Sequence, residues 1–260
     1  MRTIPYKACL ALLAAAPMPV VAQAPAPAQQ SPAVPPDIRQ ALERMADALK
    51  TINNLEIKAD LTSEEVLDSG QKLQSSGVLT IAARRPDRLF MQVDSERRTR
   101  QFIYDGKQVT IFGPKTGYYA TVPAPATTAG LMDELSDRYG IDTPLADLFV
   151  WGASGVKLDK IKSAVDAGPD RIAGEVCNHY AFRQDGADWQ IWIRQTGQPL
   201  PCKIVIVNTD DPSNPQTQAI FNWSQPQTIA DARFQFTPPA NAHRIQLMSV
   251  ADTANIGAKP

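Results

Sequence analysis

The sequence predicts a mainly antiparallel β domain of the α+β class, led by one helix and interrupted by two short helical segments. Three observations carry that expectation. Ile38, Leu42, Met45, Leu49 and Ile52 recur at helical spacing, and from about residue 54 the apolar period becomes two. Asp105-Gly106 and Asp185-Gly186 each separate two strand-like runs, the signal of a two-residue hairpin turn. Strands and helices do not alternate along the chain, which argues against a parallel sheet.

The elements follow in order. Arg2 and Lys7 precede the short apolar run Ala8–Ala16, so residues 1–22 read as a secretory signal peptide, with cleavage after Ala22 favoured over Ala24 because the latter leaves Pro25 at the new terminus. Cys9 lies inside the apolar run and does not read as a lipid-attachment cysteine. Residues 23–36 ("QAPAPAQQSPAVPP") form a Pro/Ala/Gln-rich linker expected to be disordered. Pro36 and Asp37 then suit a helix start. Strand candidates are 55–66, 77–84, 88–95, 99–105, 108–113 and 117–122. Thr127 or Thr128 caps "AGLMDELSDRY", and Thr143-Pro144 stands ahead of "LADLFVW". Strands resume at 161–168, 171–184, 187–194, 202–209, 217–224 and 233–236. The folded domain is placed at 37–250, with 251–260 as a flexible tail.

Bulk properties narrow the function. Losing Arg2 and Lys7 takes the net charge from −1 to −3, which argues against general nucleic-acid binding. No later apolar run approaches the length of a transmembrane helix. His179 and His243 are far apart and show no metal-ligand spacing, so neither a metal nor another cofactor is expected. "GASG" at 152–155 is not a nucleophile elbow, and no glycine-rich phosphate loop is present. "NTDDPSNP" at 208–215 departs from calcium-loop spacing and reads as a hairpin turn. A non-enzymatic protein is expected, and a hydrolase built around His179 is the weakest reading.

Cys177 and Cys202 survive export. An oxidising compartment favours a bridge between them. The hairpin registers oppose it, because they place the two cysteines level but two strands apart, roughly 10 Å at ordinary strand spacing. The bridge forms only if the middle strand ends near Ile193 and turns away, and the sequence leaves these arguments balanced.

The strands are apolar on both faces. Trp189, Ile191 and Ile193 share one face with Trp192 on the other, and Phe90 stands among polar neighbours Arg88, Gln92 and Asp94. A wide antiparallel sheet curls. Its concave side is either filled by the helices or left partly hollow, and pattern alone favours filling.

A resemblance bears on that choice. "GVLTIAARRPDRLFMQV", "FIYDGKQVTIFGPKTGYYATV" and "ARFQFTPPANA", within residues 77–122 and 231–239, resemble the LolA/LolB-type periplasmic lipoprotein carriers. "EVCNHYAFRQDGADWQIWIRQTGQPLP" at 175–201 resembles predicted periplasmic proteins of a family of unknown function (domain of unknown function 2092) in the same superfamily. The resemblance implies a half-open antiparallel barrel of about 11 strands, with an N-terminal helix, short lid helices and an apolar cavity. By the same resemblance Arg85 helps hold the lid and pass cargo onward, and Phe90 meets a partner near the cavity entrance. The implied protein is a periplasmic, non-enzymatic, monomeric carrier of a lipid or lipoprotein acyl chain, with an envelope protein as donor or acceptor. Its cavity candidates are Leu42, Met45, Leu49, Phe102, Tyr104, Ile111 and Trp192, and on this reading Leu42→Glu lowers the amount of bound lipid. The alternative is an envelope protein-interaction module of the same fold with no cavity. Arg84, Arg97, Arg98 and Arg100 read as solvated charges that discourage sheet edges from pairing.

Overall fold

The computed structural model describes residues 33–143 and 145–257. The expected signal peptide and most of the linker lie outside them. Helix α1 (Pro36–Thr51) starts with proline in its first turn, carries Asp37 there and Lys50 in its last turn, and buries the stripe Ile38, Ala41, Leu42, Met45, Ala46 and Leu49. Six strands follow: β1 (Asn54–Val66), β2 (Lys72–Arg84), β3 (Arg88–Asp94), β4 (Thr99–Tyr104), β5 (Gln108–Gly113) and β6 (Tyr118–Pro123). Helices α2 (Thr128–Tyr139) and α3 (Ala146–Ser154) interrupt them, and β7 (Ile161–Ile172), β8 (Glu175–Gln184), β9 (Ala187–Arg194), β10 (Pro201–Asn208) and β11 (Gln216–Ser224) resume the sheet. A 3-10 turn (Asp231–Phe234), the two-residue strand β12 (His243–Arg244) and helix α4 (Val250–Gly257) end the described chain.

All 12 strands form one sheet in the order β12-β6-β5-β4-β3-β2-β1-β11-β10-β9-β8-β7. Every pairing is antiparallel except β12 on β6. The Asp105-Gly106 hairpin forms as the sequence predicts: Asp105 Oδ1 accepts from the N–H of Lys107 and of Gln108, both at 2.9 Å, and Gly106 takes φ +91°. At roughly 4.8 Å per strand a flat sheet of this width would span about 50 Å. Yet one continuous core joins α1–α3 to residues from β1–β5 and β7–β11. The sheet therefore curves around the helices, with β12 and β7 as unjoined edges. This is the expected half-open barrel with helices.

Two strand expectations are corrected. Residues 233–236 are not a strand: Asp231–Phe234 is a 3-10 turn that folds a C-terminal strap over the convex face. There Phe234 packs with Ala82, Phe90, Ile103, Phe112 and Ile229. Strand β2 also begins earlier than 77, because the polar run "KLQSS" is ordered by pairing with β1 out to Val66↔Lys72. Helix α4 lies at the boundary of the segment expected as a tail, with Ser249 exchanging hydrogen bonds with Asp252 at its start.

The cysteines are bridged, with Cα atoms 6.7 Å apart. Opposition by geometry fails at one residue. Along β10 the register to β9 slips between Pro201↔Ile193 and Lys203↔Trp192, so Cys202 is a bulged extra residue without a partner on β9. The bridge closes a loop with a sequence separation of 25. In the chain-entropy account that constraint is worth about 3.5 kcal/mol. Cys177→Ala/Cys202→Ala is expected to lower Tm by roughly 7–14 °C, measured by calorimetry; a shift under about 2 °C would show that the bulge holds without the bond.

Candidate functional site

Strands β6 and β7 are consecutive in the chain but lie near opposite edges of the sheet. The connection between them, residues 124–160, must therefore cross the concave face, and it carries α2 and α3 as a cover. Thr127 caps α2 by accepting from Gly130 N–H at 3.1 Å, and Gly140 ends it in the left-handed conformation. Leu131, Met132 and Leu135 of α2 and Leu148, Phe149 and Trp151 of α3 are buried against the sheet. Trp151 lies 5.8 Å from Trp189, which stacks on Phe182 at 4.0 Å.

Polar fixings hold one end of the cover. Thr128 donates from both its N–H and Oγ1 to the Pro86 carbonyl, at 2.8 and 2.9 Å. Tyr104 donates its hydroxyl to the Pro125 carbonyl. Burial, and then the Asp87 charge, push that phenol's pKa up to about 12.

Arg85 sits in the turn between β2 and β3 and reaches under α3. A Cβ added to Gly152 would collide with Arg85 Nη2 and lie 3.0 Å from its Cζ. The guanidinium thus packs on the bare backbone of α3, and a side chain at 152 would require it to shift. Its Nε is buried without a hydrogen-bond partner among the described residues, and burial lowers the Arg85 pKa. The family resemblance implies a lid contact for Arg85, and the structure places its side chain against α3. Gly152→Ala tests the contact. Alanine ordinarily favours a helix over glycine by about 1 kcal/mol; here it is expected to speed amide hydrogen exchange across 128–158 at least tenfold, and unchanged protection would show that Arg85 moves aside freely.

The other expected site residues divide by face. Leu42 and Met45 are 0 % exposed, Leu49 1 %, Phe102 2 % and Tyr104 0 %, all in the concave core, with Ile111 packed at its margin. Two residues are corrected. Trp192 belongs to the convex face beside the disulfide, stacked on His179 at 4.0 Å and bonded through Nε1 to Asp170. Phe90 is also on the convex face, buried beneath the C-terminal strap with Arg233 3.8 Å over its ring. The cause is the period of two: Leu89 and Met91 turn inward, so Phe90 turns outward. Trp189 takes the place expected of Trp192, and its phase with Ile191 and Ile193 was the available signal.

The concave face is mostly filled. Leu42, Met45, Leu49, Leu131, Leu135 and Phe149 occupy its middle at 2 % exposure or less. Two clefts remain. One of about 160 Å³ involves Leu61, Val93, Phe102 and Arg100. The other, of about 380 Å³, lies between α3 and Trp189, Ile204 and Ile206. Leu61 pairs with Ala219, which pairs with Ile204, so the clefts stand at the same level of the sheet. Asp142, just after α2, borders the first and Asp133 of α2 the second. Asp147 also borders the second; it remains water-contacted, but crowding desolvates its carboxyl and raises its pKa.

The remaining cluster of possible metal ligands among the described residues is Glu175 with Cys177 and Cys202. Its sulfurs are bonded to each other, and Glu175 is paired with Arg194.

Fold and site together define a half-open antiparallel barrel with a helical cover and clefts beneath it. The chain belongs to the family described as "Predicted periplasmic protein (DUF2092)", whose model matches residues 39–248. No helix among the described residues is long and apolar enough to cross a membrane. No curated protein matches the chain significantly. Similar solved structures include the lipoprotein LppX of Mycobacterium tuberculosis, with TM-score 0.46, 13% identity, and coverage of 75% of this chain and 99% of that one. LprF of Mycobacterium bovis gives 0.44 and 13%, covering 82% and 100%. A LolA superfamily protein of Nitrosomonas europaea gives 0.37 and 8%, covering 76% and 97%.

Proposed function

We propose that this protein is an exported, non-enzymatic carrier of an apolar ligand, a lipid or lipoprotein acyl chain, which it holds on the concave face beneath α2 and α3. The observation that carries this reading is the cover itself: one connection laid across the whole concave face, fixed by polar bonds near Pro86 and otherwise by apolar contact, with a cleft on either side. In the filled arrangement the cover's own side chains stand where a ligand chain would lie. Lifting it exposes apolar surface, and a chain that replaces those contacts offsets the cost. Each buried methylene contributes up to about 0.8 kcal/mol, so a sixteen-carbon chain supplies on the order of 12 kcal/mol before ordering costs. Ligand and cover are thus alternative occupants, and the open state is populated only when a chain binds.

The test is mass spectrometry of organic extracts from protein purified natively out of its envelope. Acyl lipids in stoichiometric amount are expected. Their absence, together with a defined protein partner in periplasmic cross-linking, would favour the second reading, an interaction module of the same fold. The filled middle of the concave face is the observation on that side.

A further inference from the structure

We propose that the smaller cleft, at the β1–β4 end of the concave face, is an anion site in which Arg98 and Arg100 bind a phosphate group. The concave faces of these strands change character in step. Along β4 the inward positions run Tyr104, Phe102, Arg100, continuing to Arg98 before the strand; along β1 they run Ala59, Leu61, Ser63; along β2, Leu79, Gly77, Ser75. The registers Leu61↔Gly77, Ser63↔Ser75 and Val93↔Arg100 place these transitions side by side. An apolar floor thus turns into a hydroxyl-lined, doubly cationic rim within one cleft.

The arginines are uncommitted. Among the described residues neither guanidinium makes a hydrogen bond or ion pair, although other arginines such as Arg84, Arg183 and Arg194 do. The acid facing them, Asp142, accepts from Ser136 Oγ at 3.0 Å instead. Edge protection does not account for them either, since β4 lies inside the sheet between β3 and β5. The turn that presents Arg98 is held in place: Ser95 Oγ donates to the Arg98 carbonyl at 3.0 Å, and Lys115 Nζ donates to the carbonyls of Ser95 and Glu96 at 2.6 and 2.8 Å. Arg100 keeps contact with water, but crowding desolvates its guanidinium, and this, followed by the charge of Arg98, lowers its pKa, a repulsion that an anion between them relieves. The cleft, of about 160 Å³, has room for a phosphate group. Paired guanidinia suit its oxygens.

The phosphate source is a phospholipid-type headgroup or a free phosphate ion; attachment of the phosphate to a chain rests on the carrier reading. Calorimetric titration of the mature protein with dodecyl phosphate, dodecyl maltoside and inorganic phosphate separates them. Tighter binding of dodecyl phosphate than of dodecyl maltoside is expected, weakened roughly tenfold per arginine in Arg98→Ala and Arg100→Ala. Arg97→Ala, outside the cleft, is expected to bind like the wild type, and equal Tm values guard against a folding effect. Inorganic phosphate binding as tightly as dodecyl phosphate, with the same loss in both variants, upholds the site and identifies a free ion as its ligand. Binding unchanged in both variants, or no preference for phosphate in either form, overturns the proposal. Equal binding of both detergents would do so while leaving the carrier reading intact.

Discussion

Leu42→Glu is expected to unfold the domain at neutral pH rather than to empty a cavity. Leu42 is 0 % exposed and packed among the concave-face core residues. A carboxyl group buried there has its pKa raised by 3–5 units; from an unfolded value near 4.3 that costs about 3–4 kcal/mol at pH 7, rising to about 4–7 kcal/mol only when the pH is well above the raised pKa. Lost leucine packing adds to this, against a total stability of about 5–15 kcal/mol. The pH dependence has a definite sign. Between the unfolded pKa and the raised folded pKa, the native state binds more protons than the unfolded chain, so the variant loses stability as pH rises and regains it toward pH 4. Urea unfolding at several pH values measures this. Wild-type stability at pH 8 would mean that the glutamate is hydrated, and hence that water reaches the middle of the concave face. A loss of bound lipid in this variant would therefore report unfolding, and cargo is better tested with substitutions at the cover such as Gly152→Ala.

What the sequence made legible was local chemistry; what it hid was the choice of face. The Asp-Gly turns, the α1 stripe and most strands follow from spacings of a few residues, and they stand in the structure near their expected ends. Period two also showed that Trp189 and Trp192 must face opposite ways. Which way was inward depended on curvature set by the whole 12-stranded sheet, and the wrong tryptophan was preferred. Arg98 and Arg100 read as ordinary surface charge because their partners in the cleft, Leu61 and Ser75, are supplied by other strands. Likewise no spacing rule reveals that Gly152 leaves room for Arg85, a contact between residues far apart in the chain. The cysteines turned on a single bulged residue, which has no local signature.

The C-terminal strap departs from its local pattern for a related reason, and it carries the second large effect. "ARFQF" alternates like a strand, but it pairs with none, and its aromatic side chains instead seat on the convex face. Phe234 is 1 % exposed there. Arg84 lies 5.4 Å over its ring, pairs with Asp231 and donates to the Ile229 carbonyl at 3.3 Å, so one side chain ties the strap at three points. Phe234→Ala is expected to cost about 3–5 kcal/mol, the usual range for a large buried aromatic, and to lower Tm by roughly 6–20 °C. Loss of the strap would also bare Phe90, Ile103 and Phe112 as one apolar patch, so aggregation on heating is expected to rise. Limited proteolysis distinguishes release of the strap from global unfolding: cleavage confined to 225–242, while the sheet keeps its protection, identifies release. Phe234→Leu, which refills much of the volume, is expected to recover most of the loss. A cost below about 1 kcal/mol for Phe234→Ala would mean that Arg84 and the remaining apolar contacts hold the strap without the ring; the convex face would then be closed by the ion pair and its hydrogen bond, and Arg84→Ala would become the variant that opens it.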